Sequence, residues 1–385
     1  LVGYFGYDTV RYVEKHLEGK APPDTIGTAD ILLMVSNEVI VFDNIKGRIH
    51  LVTHVSSVDE KAHEKALNRL DTMEAALRQP IPDQYAQPVV APTLYDEDFI
   101  SSYGEERFKS DVDKIKDYIV AGDVMQVVLS QRMSCAFEAE PLNLYRALRA
   151  MNPSPYMYFM DLESVQIVSS SQEILARLET REATVRPLAG TRARGRNPSQ
   201  DLLLEEELKN DPKELAEHMM LIDLGRNDIG KVANIGTVEV SEMMVVERYA
   251  HVMHMASHVT GELRDEFSAM DLLKATLPVG TLSGAPKVRA LEIIDELEPV
   301  KRGIFGGAVG YFSWNGNMDT AIAIRTAVLK EGRLYIQAGA GVVADSVPQQ
   351  EWTETMNKAM SVIKAAAIAE AGLKFAVDPS HQRNE

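Results

Sequence analysis

Ala308-Val309-Gly310-Tyr311-Phe312, Thr320 to Val328 and Leu334 to Ala338 are three apolar, β-branched-rich runs in quick succession, and Pro348 to Ala369 follows them as one long helical stretch. Strands that come in a group, with a helix only after them, lack the strict strand–helix alternation of a parallel α/β sheet. They point to an α+β chain.

Upstream the same pattern continues. Two helices are expected around Asp201 to Leu208 and Pro212 to Leu224, and Val245 to Val259 reads as a single strand. Asp271 to Leu277 reads as a helix, as does Pro286 to Leu297, with Pro at its first position. Tyr156 to Met160 and Val165 to Ser169 read as adjacent strands, and Ala183 to Pro187 as another. Phe108, Val112, Ile115 and Ile119 mark one face of a helix that Gly122-Asp123 ends. Met125 to Ser130 is expected as a buried strand and Leu142 to Met151 as a helix stopped by Asn152-Pro153-Ser154-Pro155.

Nearer the start, Ile31 to Val35 and Val39 to Phe42 bracket Ser36-Asn37-Glu38 like paired strands around a turn. His54 to Arg78 reads as a helix, and the proline-rich Gln79 to Pro92 as a linker. Leu1-Val2-Gly3-Tyr4-Phe5 has the character of a core strand, so upstream residues are expected to be missing. The expected organisation is a remainder of an N-terminal subdomain over 1–78, truncated upstream, a linker over 79–97, a catalytic domain over 98–377 and a tail over 378–385.

The chain has 385 residues, 45% hydrophobic and 25% charged, enough to bury a core without disulfide or structural metal. Its formal net charge of -17 excludes nucleic acid and anionic membrane as partners, because no basic run overrides the repulsion. Cys135 is the only cysteine, which rules out an intrachain disulfide and suits a reducing cytoplasm. No apolar stretch has the length of a membrane-spanning helix.

Glu214 and Glu217 are three residues apart, just after Asp211-Pro212, and Glu351 and Glu354 repeat the arrangement after Ser346 and Pro348. That spacing puts each pair on one helical face. Two such faces, opposed, would offer carboxylates to a hard cation such as Mg²⁺; either pair alone reads first as a solvated helix surface. His254 and His258 share a face of a strand, with His251 on the other, but the Glu of a His-Glu-x-x-His zinc site is absent. The turn Gly280-Thr281-Leu282-Ser283-Gly284-Ala285-Pro286-Lys287 precedes a helix whose N-terminus suits an anion, and Gly339-Ala340-Gly341 ends a strand where bare backbone can approach a carboxylate. These features alone support metal-assisted chemistry on a small anion, and no more.

Taken together, several ordered motifs add to that. They are Pro187-Leu188-Ala189-Gly190-Thr191-Arg192, Asp211 to His218, Asp223-Leu224-Gly225-Arg226-Asn227-Asp228, Gly280 to Lys287, Ile324-Arg325-Thr326 and Gln337-Ala338-Gly339-Ala340-Gly341. In this set the chain resembles the chorismate-utilising enzymes, from about Glu105 to Ala369. The resemblance implies a two-layered sandwich of large, mostly antiparallel sheets with outer helices and the active site between. It implies Mg²⁺ held directly by Glu217 and Glu354 and through water by Glu214 and Glu351. Gly190, Thr191, Thr281, Arg325, Lys358 and the backbones of Gly339 and Gly341 would bind the substrate, chorismate, a dianion.

Two positions narrow the branch. Where members that add water carry a lysine base, this chain has Gln126, and where aminodeoxychorismate synthases often carry a nucleophilic lysine it has Ala189. The resemblance therefore implies the anthranilate-forming branch of tryptophan biosynthesis. Ammonia would add at C2 with Glu173 as proton donor to the departing C4 hydroxyl, and His254 would serve the later loss of pyruvate. Gln172 stands where a proline is usual before the glutamate, and Phe305 where a relative has a tyrosine. No glutaminase signature surrounds Cys135, so ammonia is expected from a separate glutaminase subunit. Tryptophan, the family's inhibitor, would bind at Asn152, Pro153, Ser154, Tyr156 and Met157 against a strand upstream of Leu1; with that strand missing, feedback inhibition is expected to be weak or absent. The alternatives are an aminodeoxychorismate synthase and a non-catalytic amino-acid sensor on the same fold. A homo- or hetero-oligomer stays open.

Overall fold

The computed structural model describes residues 1–56, 61–80, 94–249 and 252–373. In chain order the elements are β1 (Val2–Phe5), β2 (Ile31–Met34), β3 (Glu38–Asp43), β4 (Arg48–Thr53), α1 (Ala62–Leu77), β5 (Ile100–Ser101), α2 (Glu105–Val120), β6 (Gln126–Ala136), α3 (Pro141–Met151) and β7 (Tyr156–Asp161). They continue with β8 (Gln166–Ser171), β9 (Ile174–Glu179), β10 (Glu182–Val185), β11 (Leu188–Ala193), α4 (Pro198–Asn210), α5 (Pro212–Gly230), β12 (Glu239–Arg248) and β13 (Val252–Glu262). Last come α6 (Ala269–Thr276), β14 (Gly284–Ala285), α7 (Lys287–Leu297), β15 (Ala308–Phe312), β16 (Met318–Ile322), β17 (Thr326–Lys330), β18 (Arg333–Val342) and α8 (Pro348–Glu370).

A nine-stranded sheet runs β11-β13-β10-β9-β16-β15-β1-β2, with β12 also paired to β13. A seven-stranded sheet runs β14-β6-β18-β17-β8-β7, with β5 paired to β6, and β3 and β4 form a separate hairpin. The ladders are antiparallel throughout. The tight turns follow backbone chemistry. Thr180 and Arg181 between β9 and β10, and Glu331 and Gly332 between β17 and β18, all take positive φ. That is the pattern of a two-residue turn whose twist matches its strands.

Between the sheets, Tyr4 and Val309 of the first pack with Met160, Ile167 and Val328 of the second. Outside the second sheet, Ala359, Val362, Ile363 and Ala366 of α8 cover Leu334 and Ile336 of β18, with Leu144 and Leu148 of α3 alongside. Outside the first, Ile222 and Ile229 of α5 cover Leu178, Ala183 and Val259. Each helix turns one apolar stripe to its sheet, which is what a two-layered sandwich with outer helices requires.

Several local expectations are corrected. Ile31 to Val35 and Val39 to Phe42 do not pair with each other: β2 pairs with β1 in the large sheet, and β3 with β4. The run Val245 to Val259 is two strands, the β12–β13 hairpin. Thr320 to Val328 is also two strands, and they belong to different sheets. α1 begins at Ala62 rather than His54, and Pro286 stands just before α7 rather than inside it. Most of the expected linker, residues 81–93, and the expected tail lie outside the described residues, as does His251. No helix among the described residues is long and apolar enough to cross a membrane.

Candidate active site

The chain passes directly from a strand of one sheet into a strand of the other at two neighbouring places, from β8 into β9 and from β16 into β17. These crossings are bonded to each other. Ile322 N donates to Glu173 O at 3.0 Å and Ser170 N to Arg325 O at 3.3 Å. The Ser171 and Ser169 hydroxyls donate to Ile322 O and Ile324 O at 2.7 and 3.1 Å. Arg325 sits at the second crossing with φ 50°, the left-handed conformation that an abrupt change of sheet needs. The same seam thus delivers a carboxylate, Glu173, and a guanidinium, Arg325.

Thr281, on the turn before β14, donates to Glu173 Oε2 at 3.2 Å. Burial pushes the Glu173 carboxyl above its ordinary range, against the pull of that hydrogen bond and of the charges on Lys358 and Arg325. Arg325 Nη1 donates to Lys358 O at 2.8 Å, and Lys358 Nζ donates to Gly339 O at 2.9 Å while pairing with Glu354 at 2.5 Å. Arg325, Lys358 and Gly339 are therefore one connected group. Burial lowers the proton affinity of the Arg325 guanidinium, which stays charged all the same.

Gly341 faces Gln126: a Cβ built on the glycine would come within 2.5 Å of the Gln126 amide nitrogen. The Gln126 side chain is buried, and its Oε1 has no partner. On the first sheet, Thr191 of β11 lies opposite His254 of β13. The Thr191 hydroxyl and Gly190 O stand 3.0 and 3.3 Å from His254 Nδ1. Gly190 has φ 74°, which turns its carbonyl toward the ring at a bulge in the ladder. Burial holds the His254 imidazole below its ordinary range, aided by the charges of Arg325 and Lys358. His258, four residues further along the same strand, accepts from Arg186 Nε at 2.9 Å.

The acidic pairs occupy the first turns of α5 and α8. Asp211 caps α5 by accepting from Lys213 N and Glu214 N, with Pro212 next to it, and Pro348 opens α8. Burial raises the Glu217 carboxyl, and the charges of Glu214 and Glu354 raise it further. Burial also raises Glu351, with Glu354 adding to it. The charge of Glu354 on α8 is thus felt at Glu217 on α5. The four carboxylates are not gathered into a ligand set as they stand: Glu214 accepts from Arg192 Nη1 at 3.1 Å, and Glu354 is held by Lys358. Among the described residues no three acidic, histidine or cysteine side chains stand close enough to hold a metal ion. Their chemistry nevertheless suits a hard cation, since all four offer carboxylate oxygens and two are driven up by burial and mutual repulsion.

Arg192 is the residue that spacing arguments missed. It closes the Pro187 to Arg192 motif and pairs with Asp211, Glu207 and Glu214. The segment from Asn152 to Met157 stands at the edge of the second sheet. Asn152 O and the Ser154 hydroxyl meet the Ser170 hydroxyl, and the Tyr156 hydroxyl donates to Asp319 Oδ1 across the sheets at 2.9 Å.

The sequence profile of the chorismate binding enzymes matches residues 1–364. The chain is 57% identical over 374 residues to anthranilate synthase component 1 of Pseudomonas aeruginosa, covering 97% of this chain and 76% of that protein. It is 56% identical over 370 residues to the Pseudomonas putida protein of the same name, covering 96% and 75%. The crystal structure of anthranilate synthase component I from Streptococcus pneumoniae superimposes with a TM-score of 0.86 at 42% identity, over 94% of this chain and 80% of that one. A sandwich whose crossings bring Glu173 and Arg325 together, matched over nearly its whole length by that profile, places this chain in the family of chorismate binding enzymes.

Proposed function

We propose that the chain forms anthranilate and pyruvate from chorismate and ammonia. The observation that carries this reading is the Glu173 carboxyl at the seam, pushed up by burial, bonded to Thr281 and within the field of Arg325 and Lys358. A carboxyl raised in this way keeps its proton at higher pH, as a general acid must. The names of the relatives support the same product.

In this reading Arg325, Lys358, Thr281 and the backbones of Gly339 and Gly341 hold the carboxylates of the substrate, and Gly190 and Thr191 line the opposite side. Glu173 gives its proton to the C4 hydroxyl, which leaves as water while ammonia bonds to C2. His254, neutral at pH 7 because burial lowers it, then takes the C2 proton as the C3–O bond breaks and the ring becomes aromatic; the enolpyruvate that leaves takes up a proton at its methylene carbon to give pyruvate. Gln126 and Ala189 bring no amine into the cleft, so neither a lysine-activated water nor a lysine–substrate bond competes with ammonia.

Glu217 and Glu354, with Glu214 and Glu351 behind them, are the residues that would hold Mg²⁺, once Lys358 and Arg192 release two of them. When bound, the ion supplies positive charge to a substrate carboxylate. The ammonia comes from a glutaminase partner. Burial pushes the Cys135 thiol up to about 12, which makes it a poor nucleophile for releasing ammonia from glutamine. Asn152, Pro153, Ser154, Tyr156 and Met157 form the proposed tryptophan-binding segment.

The test is one assay with chorismate, ammonium and Mg²⁺, followed by anthranilate fluorescence and by pyruvate. Both should appear in equal amounts. An aminated product without pyruvate would favour the aminodeoxychorismate reading, and no turnover would favour the sensor.

A further inference from the structure

Of the ordered motifs, Asp223 to Asp228 has no part in the chemistry above and Gly280 to Lys287 contributes only Thr281, yet the two meet elsewhere. Lys287 Nζ donates to Asp228 Oδ2 at 2.6 Å and to Thr276 O at 3.3 Å. Both side chains of the pair are largely shielded, at 16% and 6% exposure. The pair is placed against electrostatic preference at both ends. Asp228 lies in the last turn of α5, where the helix terminus is negative, and Lys287 is the first residue of α7, where it is positive. Burial opposes both charges as well. Asp228 does not need Lys287 for neutrality, because Lys231 reaches its Oδ1 from the surface at 2.9 Å. A pair that both helix dipoles and desolvation disfavour is poor as a stabiliser.

Its position offers another role. α5 carries Glu214 and Glu217 in its first turns and Asp228 in its last. The segment ending in Lys287 begins with the turn that holds Thr281 against Glu173. The two bodies touch again where Gly280 packs on the Leu224 side chain of α5, so closely that a Cβ there would have to push a Leu224 methyl aside. From the far side, Arg302 Nη1 donates to Leu282 O at 2.6 Å and fixes the turn to the buried pair Arg302–Glu298.

We propose that the Asp228–Lys287 pair is a positioning device that sets α5, and with it Glu217, against the Thr281 turn. Glu217 lies about 16 Å along the helix from Asp228, so a small tilt at the pinned end is magnified at the carboxylate. A displacement of about 1 Å at a reacting centre can cost roughly 100-fold in rate. This inference rests on the functional reading given above.

The experiment compares the 385-residue chain with the apolar double variant Lys287→Met/Asp228→Leu, using chorismate, ammonium and Mg²⁺ for kinetics and Mg²⁺ alone for thermal shift. The double variant should melt within a few degrees of the parent. Its kcat should fall at least about 10-fold and its half-saturating Mg²⁺ concentration should rise. Lys287→Arg, which keeps the charge, should recover most of both. A double variant with parental kcat and parental Mg²⁺ response would overturn the proposal. If it does not fold, Lys287→Gln, in which Lys231 still neutralises Asp228, is read by the same criteria; failure of both to fold would make the pair a stabiliser and overturn the proposal equally. A parent chain that yields no anthranilate sinks the functional reading, whereas an active parent with an unaffected double variant sinks this inference alone.

Discussion

The Thr281 hydroxyl donates to Glu173 Oε2 at 3.2 Å, joining the turn before β14 to the crossing between the sheets. This bond favours the ionised carboxylate, while burial favours the neutral acid, and burial prevails. In Thr281→Val the restraint is lost and the carboxyl rises further. Because Glu173 must be protonated to act as a donor, activity falls as pH rises through its pKa, so the high-pH limb of kcat should move upward in the variant. Loss of one hydrogen bond to a charged group should also lower kcat/KM by about 10-fold or more. A pH profile of both proteins measures both effects, and an unmoved limb would separate Thr281 from Glu173.

Glu217→Gln removes a charge that is half-buried and repelled by Glu214 and Glu354. Without metal, the variant should be at least as stable as the parent. Adding Mg²⁺ at 100 times its Kd should stabilise the parent by about 2.7 kcal/mol and leave the variant unchanged. Turnover should fall at least about 100-fold, as it should in Glu354→Gln, which keeps the fold intact. Thermal melts with and without Mg²⁺ decide; equal shifts in parent and variant would remove Glu217 from the metal site.

The carboxylate pairs were legible because helical spacing is local: residues three apart share a face whatever the tertiary setting. The diversion of Glu214 to Arg192 was not, since the partner lies on another element and only the folded chain brings it near. The strands show the same division. β7 and β8 were legible as neighbours, whereas Thr320 to Val328 looked like one strand because both of its halves are buried, and a continuous apolar run carries no mark where the chain changes sheet. The change falls at Arg325, whose positive φ no propensity announces. β2 and β3 looked like a hairpin on spacing, but β2 closes on β1 instead, a choice made by side chains far apart in sequence.

His218 is fully buried on α5, with Nε2 2.7 Å from the Ser257 hydroxyl and Nδ1 without a partner. Burial pulls its pKa down to about 4. The unfolded chain takes up a proton near pH 6.5 that the folded chain refuses, so stability falls as pH drops from about 6.5 to 4, by roughly 3 kcal/mol at the acid end. His218→Gln cannot titrate. Urea unfolding at pH 7 and pH 4.5 should therefore show a flatter acid dependence in the variant than in the parent, and parallel slopes would mean that His218 takes no part in it.

His254 gives the clearest separation of the two chemical stages. Its ring is oriented by the Thr191 hydroxyl and Gly190 O on one nitrogen and flanked by the Tyr249 ring with centroids 5.7 Å apart. Glu173, by contrast, belongs to the seam and to Thr281. If the two groups serve successive proton transfers, removing the later one leaves the earlier intact. His254→Asn should still consume chorismate in the presence of ammonium and accumulate an aminated cyclohexadiene that retains its enolpyruvyl group. Anthranilate and pyruvate should fall together by about 100-fold or more, in the range a lost general base commands. Because the imidazole is held below its ordinary range, the parent should keep its elimination step below pH 6.5, and activity should be lost only as the ring protonates at lower pH. Mass analysis of quenched reactions distinguishes the outcomes: a variant that consumes no chorismate would place His254 in the first stage, and one that releases pyruvate at the parental rate would remove it from the chemistry.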